Sequence, residues 1–103
     1  MMNQKELINF LQNYNHTLPK GIRLTGLFGS YARGTADAYS DIDLTYRMDH
    51  SVFYPENAFK KLIALEEIKK ELELKLKHPI DLIPENTKDA LLSESLKQEK
   101  IAL

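Results

Sequence analysis

The sequence predicts an α/β protein in which helices and short strands alternate along the chain. Two segments carry apolar residues at helical spacing, and several short runs of aliphatic residues are bounded by Gly, Pro or acidic residues, as strands are. The predicted helices cover 3–14 and 55–76, and the predicted strands cover 22–28, 42–48 and 80–83. With 103 residues, of which 43% are hydrophobic, we expect one modest core and a single domain over 1–103.

Composition narrows the classes of function and location. The net charge is -1, so no one-signed surface excess favours direct DNA binding or an anionic membrane. The chain has no cysteine, which excludes disulfides and cysteine-ligated zinc and fits a reducing cytosol. The N-terminus lacks a basic region followed by an apolar run, and no segment approaches the roughly 20 apolar residues of a spanning helix. We therefore expect a cytoplasmic protein that does not contact membranes.

The first half of the chain predicts a helix, a strand and a short helix. Apolar residues at helical spacing define the helix over 3–14. The strand over 22–28 is interrupted at 25–26, where Thr and Gly replace larger aliphatic residues. Ser30 can cap a short second helix, and Gly34 is its expected terminator.

The second half predicts a strand, a long helix and a third strand. A polar loop leads to the strand over 42–48, and Pro55 suits the first turn of the long helix. Residues 72–77 alternate with period two, so helix and strand compete there; we favour helix to about 74 or 76 because His78-Pro79 makes a break.

The C-terminal part predicts one more strand and one more helix. The strand over 80–83 is closed by Pro84. Residues 89–98 are predicted to form a last helix, and 101–103 either a fraying end or a fourth edge strand.

The long helix carries a broad apolar surface. On a helical wheel Phe59 and Ile63 lie away from the centre of the apolar side. The residues on that side are Leu62, Leu65, Ile68, Leu72 and Leu76. One interpretation is a wide stripe that faces the core; the other is a separate surface for a partner.

Acidic residues at strand positions form the first part of a candidate site. Residues two apart on a strand share a face, so Asp41 and Asp43 project together while Ile42 and Leu44 point into the core. Paired carboxylates raise each other's pKa or bind a hard divalent cation. Asp81 alternates with apolar neighbours in the third strand and can supply a third carboxylate, which would suffice for a two-metal site.

A Gly-Ser turn upstream forms the second part of the candidate site. Gly29 lets the backbone approach a ligand, and Ser30 offers a hydroxyl and free N–H groups to a phosphate. Two metal ions beside a phosphate favour in-line displacement at phosphorus. The histidines at 16, 50 and 78 are far apart without helical pairing, so we assign them structural roles.

The ordered set of segments GSYARG, SDIDL and PIDLI resembles nucleotidyltransferases of the DNA polymerase beta type, and most closely the minimal nucleotidyltransferases. The resemblance covers nearly the whole chain and implies a small mixed β-sheet with flanking helices. It implies that Asp41 and Asp43 ligate Mg²⁺ in a two-metal site. It further implies that Asp81 is the third carboxylate, beside the incoming hydroxyl.

The same resemblance implies how the nucleotide is held. Gly29 and Ser30 would hold the triphosphate of ATP, and Arg33 would assist them. Minimal members of the family act as antitoxins that transfer AMP from ATP to a tyrosine of a HEPN toxin, a modification called AMPylation, and associate with that toxin. We therefore expect an Mg-dependent transferase whose partner is a HEPN protein, and a possible hetero-oligomer of the two.

Two alternatives to this activity are kept. The fold can serve as a non-catalytic antitoxin that neutralises its partner by binding, or the nucleotide can go to a small molecule or an RNA end. Because 103 residues leave no room for a separate acceptor-binding domain, we expect a partner protein to supply the acceptor.

Overall fold

The computed structural model describes residues 2–37, 39–49, 58–85 and 100–103. The helices are α1 (Gln4–Asn15), α2 (Gly29–Arg33) and α3 (Ala58–Leu76), and the strands are β1 (Ile22–Phe28), β2 (Ile42–Met48), β3 (Ile80–Pro84) and β4 (Ile101–Ala102). The sheet has the order β3-β2-β1-β4. β1 is antiparallel to both of its neighbours, while β2 and β3 are parallel. The predicted small mixed sheet with flanking helices is confirmed.

Both long helices contribute to one apolar cluster with the sheet. α1 supplies Leu7 and Leu11, and α3 supplies Ile68 and Leu72, all of which are buried. The strand residues of this cluster are Ile22, Leu24, Leu27, Ile42, Leu44 and Ile80. As predicted, Ile42 and Leu44 point inward, which leaves Asp43, the acidic residue of β2, outside this apolar cluster.

The interruption predicted in β1 is a register shift. Pairing with β2 slips between Leu24 and Gly26, as a β-bulge does, so that Leu24 and Leu27 both reach the core although they are three residues apart. Gly26 allows this close packing because a Cβ there would stand 2.8 Å from Thr45 Oγ1 and 2.7 Å from Lys100 Cε.

The short helix α2 begins earlier than predicted. Phe28 is its N-cap residue and makes no side-chain capping bond, so the predicted capping role of Ser30 is wrong. The reason is that the chain turns at Gly29, whose φ is 72°, which places Ser30 inside the first turn. Gly34 ends the helix in a left-handed conformation, as predicted.

The helical interpretation of 72–77 is confirmed, because α3 continues to Leu76. Lys77 then takes a left-handed conformation with φ 57°, and β3 starts at Ile80. Residues 101–103 include the short edge strand β4, which pairs with Gly26 and Leu27 of β1. The predicted helix start at Pro55 and the helix over 89–98 lie outside the described residues.

The apolar stripe of α3 is narrower than predicted. Ile68 and Leu72 are buried, but Leu62 is 61% exposed, beside Phe59 at 78% and Ile63 at 48%. Of the two interpretations, the wide stripe that faces the core is wrong for these three residues, and a separate surface for a partner stays a prediction. α3 has 19 residues and is about 28 Å long, whereas β3, the five-residue strand that comes after it, is about 17 Å long. The exposed residues Phe59, Leu62 and Ile63 all lie in the N-terminal half of α3.

Glu85 directly follows β3 and contacts two residues of β2 and Lys100, which precedes β4. Its carboxylate accepts hydrogen bonds from Arg47 Nε at 2.8 Å and Lys100 Nζ at 3.2 Å, and its N–H donates to the carbonyl of Tyr46. Burial raises the pKa of Glu85, but the bonds and charges of Arg47 and Lys100 together outweigh it and lower the pKa overall.

None of the described helices is long and apolar enough to cross a membrane.

Asn15 fixes α1 to the sheet, and its loss is expected to destabilise the fold. The buried side chain of Asn15 accepts from Leu24 N–H and donates to Leu24 C=O, both at 2.8 Å. Asn15→Ala leaves both main-chain groups without this partner, so we expect the free energy of unfolding to fall by roughly 2 to 4 kcal/mol. Urea denaturation measures it, with the exposed Asn9→Ala as control. Equal midpoints for the two variants would contradict this role.

Candidate active site

The residues predicted to bind metal and nucleotide lie at one end of the sheet. In the parallel pair β2 and β3, Asp43 stands directly opposite Asp81. In the antiparallel pair β1 and β2, Asp43 stands opposite Phe28, the residue before the Gly29 turn. The strand register therefore brings together three segments that are distant in sequence.

The electrostatics of Asp43 report the neighbouring charges. Burial raises the pKa of Asp43, and a side-chain hydrogen bond with Asp81, the charge of Asp81 and the charge of Asp41 raise it further, while the charge of Arg33 lowers it. The charges of Asp41, Asp81 and Arg33 therefore all influence the carboxylate of Asp43. Asp41 and Arg33 are exposed, and Asp43 is half-buried.

Gly29 lies against Asp43. A Cβ at position 29 would collide with Asp43 Oδ2, and Gly29 also has a positive φ of 72°. Only glycine combines that conformation with so little space. The sequence predicted that Gly29 lets the backbone approach a ligand, and that stays a prediction. In the structure the group beside Gly29 is the carboxylate of Asp43.

Several contacts hold α2 beside the acids. Tyr31 is only 3% exposed and packs in the core cluster, so α2 is anchored through its middle residue. Gln4 Nε2 donates to the carbonyls of Tyr31 and Ala32, each at 2.9 Å, which satisfies acceptors at the end of the helix. Ser30, half-buried in the first turn, follows Gly29 directly.

His78 bridges the same region, which the sequence did not indicate. Its Nδ1 lies 2.9 Å from the carbonyl oxygen of Ser40, and its Nε2 lies 3.1 Å from the hydroxyl of Tyr31. The Tyr31 and His78 rings also meet edge to face, with centroids 5.6 Å apart. The only sequence signal was the position of His78 shortly before Asp81, and that is too general to identify these contacts.

The acids have the chemistry of a magnesium site but are not a preassembled cluster. Carboxylate oxygens are the ligands that Mg²⁺ prefers, and the charges of Asp41 and Asp81 beside Asp43 produce a repulsion that a cation would relieve. Within the described ranges, no three acidic or histidine side chains are placed closely enough to hold a metal ion.

Comparison with known proteins decides the family. A family model described as a nucleotidyltransferase domain matches residues 5–103. The chain belongs to the nucleotidyltransferase domain family. The resemblance seen in the sequence motifs is thereby confirmed. No curated protein matches this nucleotidyltransferase.

Solved structures share the fold of this nucleotidyltransferase. One, described as a toxin-antitoxin with AMP-PNP, has a TM-score of 0.62 and 26% identity over 98% of this chain and 72% of that chain. A mutant of the toxin-antitoxin MntA-HpeT has a TM-score of 0.62 and 22% identity over the same shares. Another mutant of that pair has a TM-score of 0.57 and 21% identity over 100% of this chain and 72% of that chain.

Removal of one acid is expected to stabilise this nucleotidyltransferase when no metal is present. The pKa of Asp43 is raised above the ordinary 3.8, so the folded protein holds this proton more tightly than the unfolded chain does. Ionised Asp43 therefore costs stability above its folded pKa, and this cost disappears below the ordinary value. We expect Asp43→Asn to raise Tm by on the order of a few °C at pH 7 in EDTA.

Thermal scans between pH 3 and pH 8 check this expectation, with the exposed α3 variant Glu66→Gln as a charge-matched control. The gain from Asp43→Asn should grow as pH rises and vanish at the acidic end. A lower Tm for Asp43→Asn at pH 7 would show that Asp43 is a net stabilising group.

Proposed function

We propose that this nucleotidyltransferase transfers AMP from ATP to a tyrosine hydroxyl of a HEPN toxin and so acts as its antitoxin. The observation that supports this most is the convergence of Asp41 and Asp81 on Asp43, against which Gly29 lies. Acids beside a glycine turn are suited to phosphate chemistry assisted by a divalent cation. The activity would reside in a single cytoplasmic domain over 1–103.

The proposed roles follow the positions of the residues. Asp41, Asp43 and Asp81 would hold Mg²⁺, which supplies positive charge that stabilises the transferring phosphate group. Gly29 and Ser30 would hold the triphosphate through main-chain N–H groups and the hydroxyl, because the turn lies beside Asp43.

The reaction is a displacement at the α-phosphorus of ATP. The acceptor oxygen forms a bond to that phosphorus, and the bond from it to the bridging oxygen of the leaving group breaks, which releases pyrophosphate. Asp81 would accept the hydroxyl proton, since it is exposed and adjacent to Asp43. Arg33 would offset the developing negative charge, because it lies close enough to Asp43 for its positive charge to lower the pKa of Asp43.

The structural neighbours support the nucleotide and the partner. The neighbour with 26% identity is described as a toxin-antitoxin with AMP-PNP, an analogue of ATP. By that likeness, the present chain would bind ATP and pair with a toxin. The assembly would be a hetero-oligomer.

Label transfer tests the proposed reaction. The purified protein is incubated with Mg²⁺ and the toxin encoded beside it, using ATP labelled at either the α- or the γ-phosphate. Transfer of AMP puts the α-label, and not the γ-label, on the toxin, and EDTA removes the signal. The γ-label on the toxin would mean phosphoryl transfer, and the α-label on added RNA or on a small molecule instead would mean a different acceptor.

A second candidate is neutralisation of the toxin by binding alone. Phe59, Leu62 and Ile63 form an exposed apolar area on α3, which favours contact with a partner. Cells that express the toxin with an Asp41→Asn, Asp43→Asn double variant separate the two candidates. Survival equal to that with the wild-type protein would favour binding, and loss of protection would favour catalysis.

A further inference from the structure

We propose that His78 is a positioning residue that fixes the Gly29-Ser30 turn and the Asp41 segment relative to each other; this rests on the function proposed above. The imidazole ring lies between the Tyr31 hydroxyl, 3.1 Å from Nε2, and the Ser40 carbonyl oxygen, 2.9 Å from Nδ1. These contacts span 47 and 38 positions of the sequence, so His78 connects parts of the chain that no local structure connects.

The partners determine which ring nitrogen carries the proton. A carbonyl oxygen only accepts, so Nδ1 of His78 must donate to Ser40. In the neutral ring Nε2 then accepts, and the Tyr31 hydroxyl donates to it. Tyr31 is 3% exposed, and its pKa is raised by burial and, to a smaller extent, by the charge of Asp37. The hydroxyl therefore stays protonated and can donate this hydrogen bond.

The two partners are adjacent to the residues that would act on the nucleotide. Tyr31 follows Ser30 in the first turn of α2, and Ser40 directly precedes Asp41. His78 itself lies three positions before Asp81. One side chain therefore links the segments that carry the phosphate turn, the first acid and the third acid.

The main chain beside His78 strengthens this connection. Ile42 N–H donates to the Pro79 carbonyl at 2.9 Å, which joins the starts of β2 and β3. Asp41 lies between this bond and the Ser40 contact, so both of its neighbours are held by the segment 78–79. Loss of the His78 bond frees one side of Asp41 and leaves the other bonded.

The proposal predicts graded effects for two substitutions. An Asn amide can place its N–H₂ group near the former Nδ1 position, so His78→Asn retains the bond to Ser40, whereas His78→Ala loses both bonds. We expect His78→Ala to lower kcat for AMP transfer by about 10- to 100-fold, the usual loss for a residue that orients a metal ligand. We expect His78→Asn to stay within about threefold of wild type, because the Asp41 segment remains fixed.

Transfer kinetics and amide exchange, measured on the same variants, test this positioning role. His16→Ala, at an exposed histidine at the end of α1, is the control for loss of an imidazole. We expect the Ile42 amide, which donates to the Pro79 carbonyl, to exchange at least about tenfold faster in His78→Ala than in His78→Asn, since opening is local. Equally slow exchange at Ile42 in every variant would overturn the proposal. A fall in kcat that matches the fall in Tm to the same extent in His78→Asn and His78→Ala would also overturn it.

The two proposals fail in distinguishable ways. A wild-type protein that transfers no AMP overturns the proposed function, while exchange at the Ile42 amide still decides whether His78 positions the Asp41 segment. If the wild-type protein is active and His78→Ala has the same kcat and the same rate of amide exchange as wild type, only the role of His78 is overturned.

Discussion

Replacement of Asp41 and Asp43 together by Asn is expected to abolish AMP transfer, with a loss of at least about 10³-fold in the single-turnover rate. Asp41 lies close enough to Asp43 for its charge to raise the pKa of Asp43. Asn at both positions cannot supply the negative charge that holds a divalent cation. The rate of label transfer from α-labelled ATP at saturating Mg²⁺ measures the effect.

The control for this double variant is a charge change elsewhere. Glu66→Gln alters one exposed acid on α3 and should leave the rate of transfer unchanged. Since Asp43→Asn is expected to raise Tm, circular dichroism should show a folded double variant. Retained transfer by a folded double variant would contradict the assignment of these acids.

A methyl group at position 29 is the second change with a large expected effect. In Gly29→Ala the Cβ collides with Asp43 Oδ2 and forces the carboxylate or the turn to move. A displacement of about 1 Å is enough to reduce catalysis by about 10²-fold, so we expect at least that loss in kcat/KM for ATP. The positive φ of 72° adds a stability cost of roughly 1 to 2 kcal/mol.

Gly34→Ala separates the two causes. Gly34 has a similar φ of 76°, but a Cβ there meets nothing within 4 Å. Gly34→Ala should therefore show the cost in stability without the loss in transfer. Equal kcat/KM for the two alanine variants would mean that contact between position 29 and Asp43 does not matter for the reaction.

The sequence predicted the parts of the fold that local chemistry determines. Strands β1, β2 and β3 follow from short aliphatic runs with clear breaks, and Gly34 marks a helix end because a left-handed residue is needed there. The helical period also decided residues 72–77, where the alternating pattern alone favoured a strand. The alternation of acidic and apolar residues predicted that Asp43 and Asp81 project from the same side of neighbouring strands, and the register places them opposite each other.

Features that depend on tertiary contacts could not be predicted. The exposure of Leu62 depends on which elements pack against the N-terminal half of α3, which a helical wheel does not contain. The start of α2 depends on a turn at Gly29 rather than on a capping side chain at Ser30. The bridge made by His78 needs β3 beside β2, so a list of histidines in sequence order gave no reason to select it.

The measurement that tests the proposed activity most directly is an intact mass. It is the mass of the toxin encoded beside this nucleotidyltransferase, after the two proteins are incubated with Mg²⁺ and ATP. An increase equal to one or more AMP units, absent with the Asp41→Asn, Asp43→Asn double variant, is the predicted result. An unchanged toxin mass, in a sample where the two proteins form a stable complex, would contradict catalysis and leave an antitoxin that acts by binding.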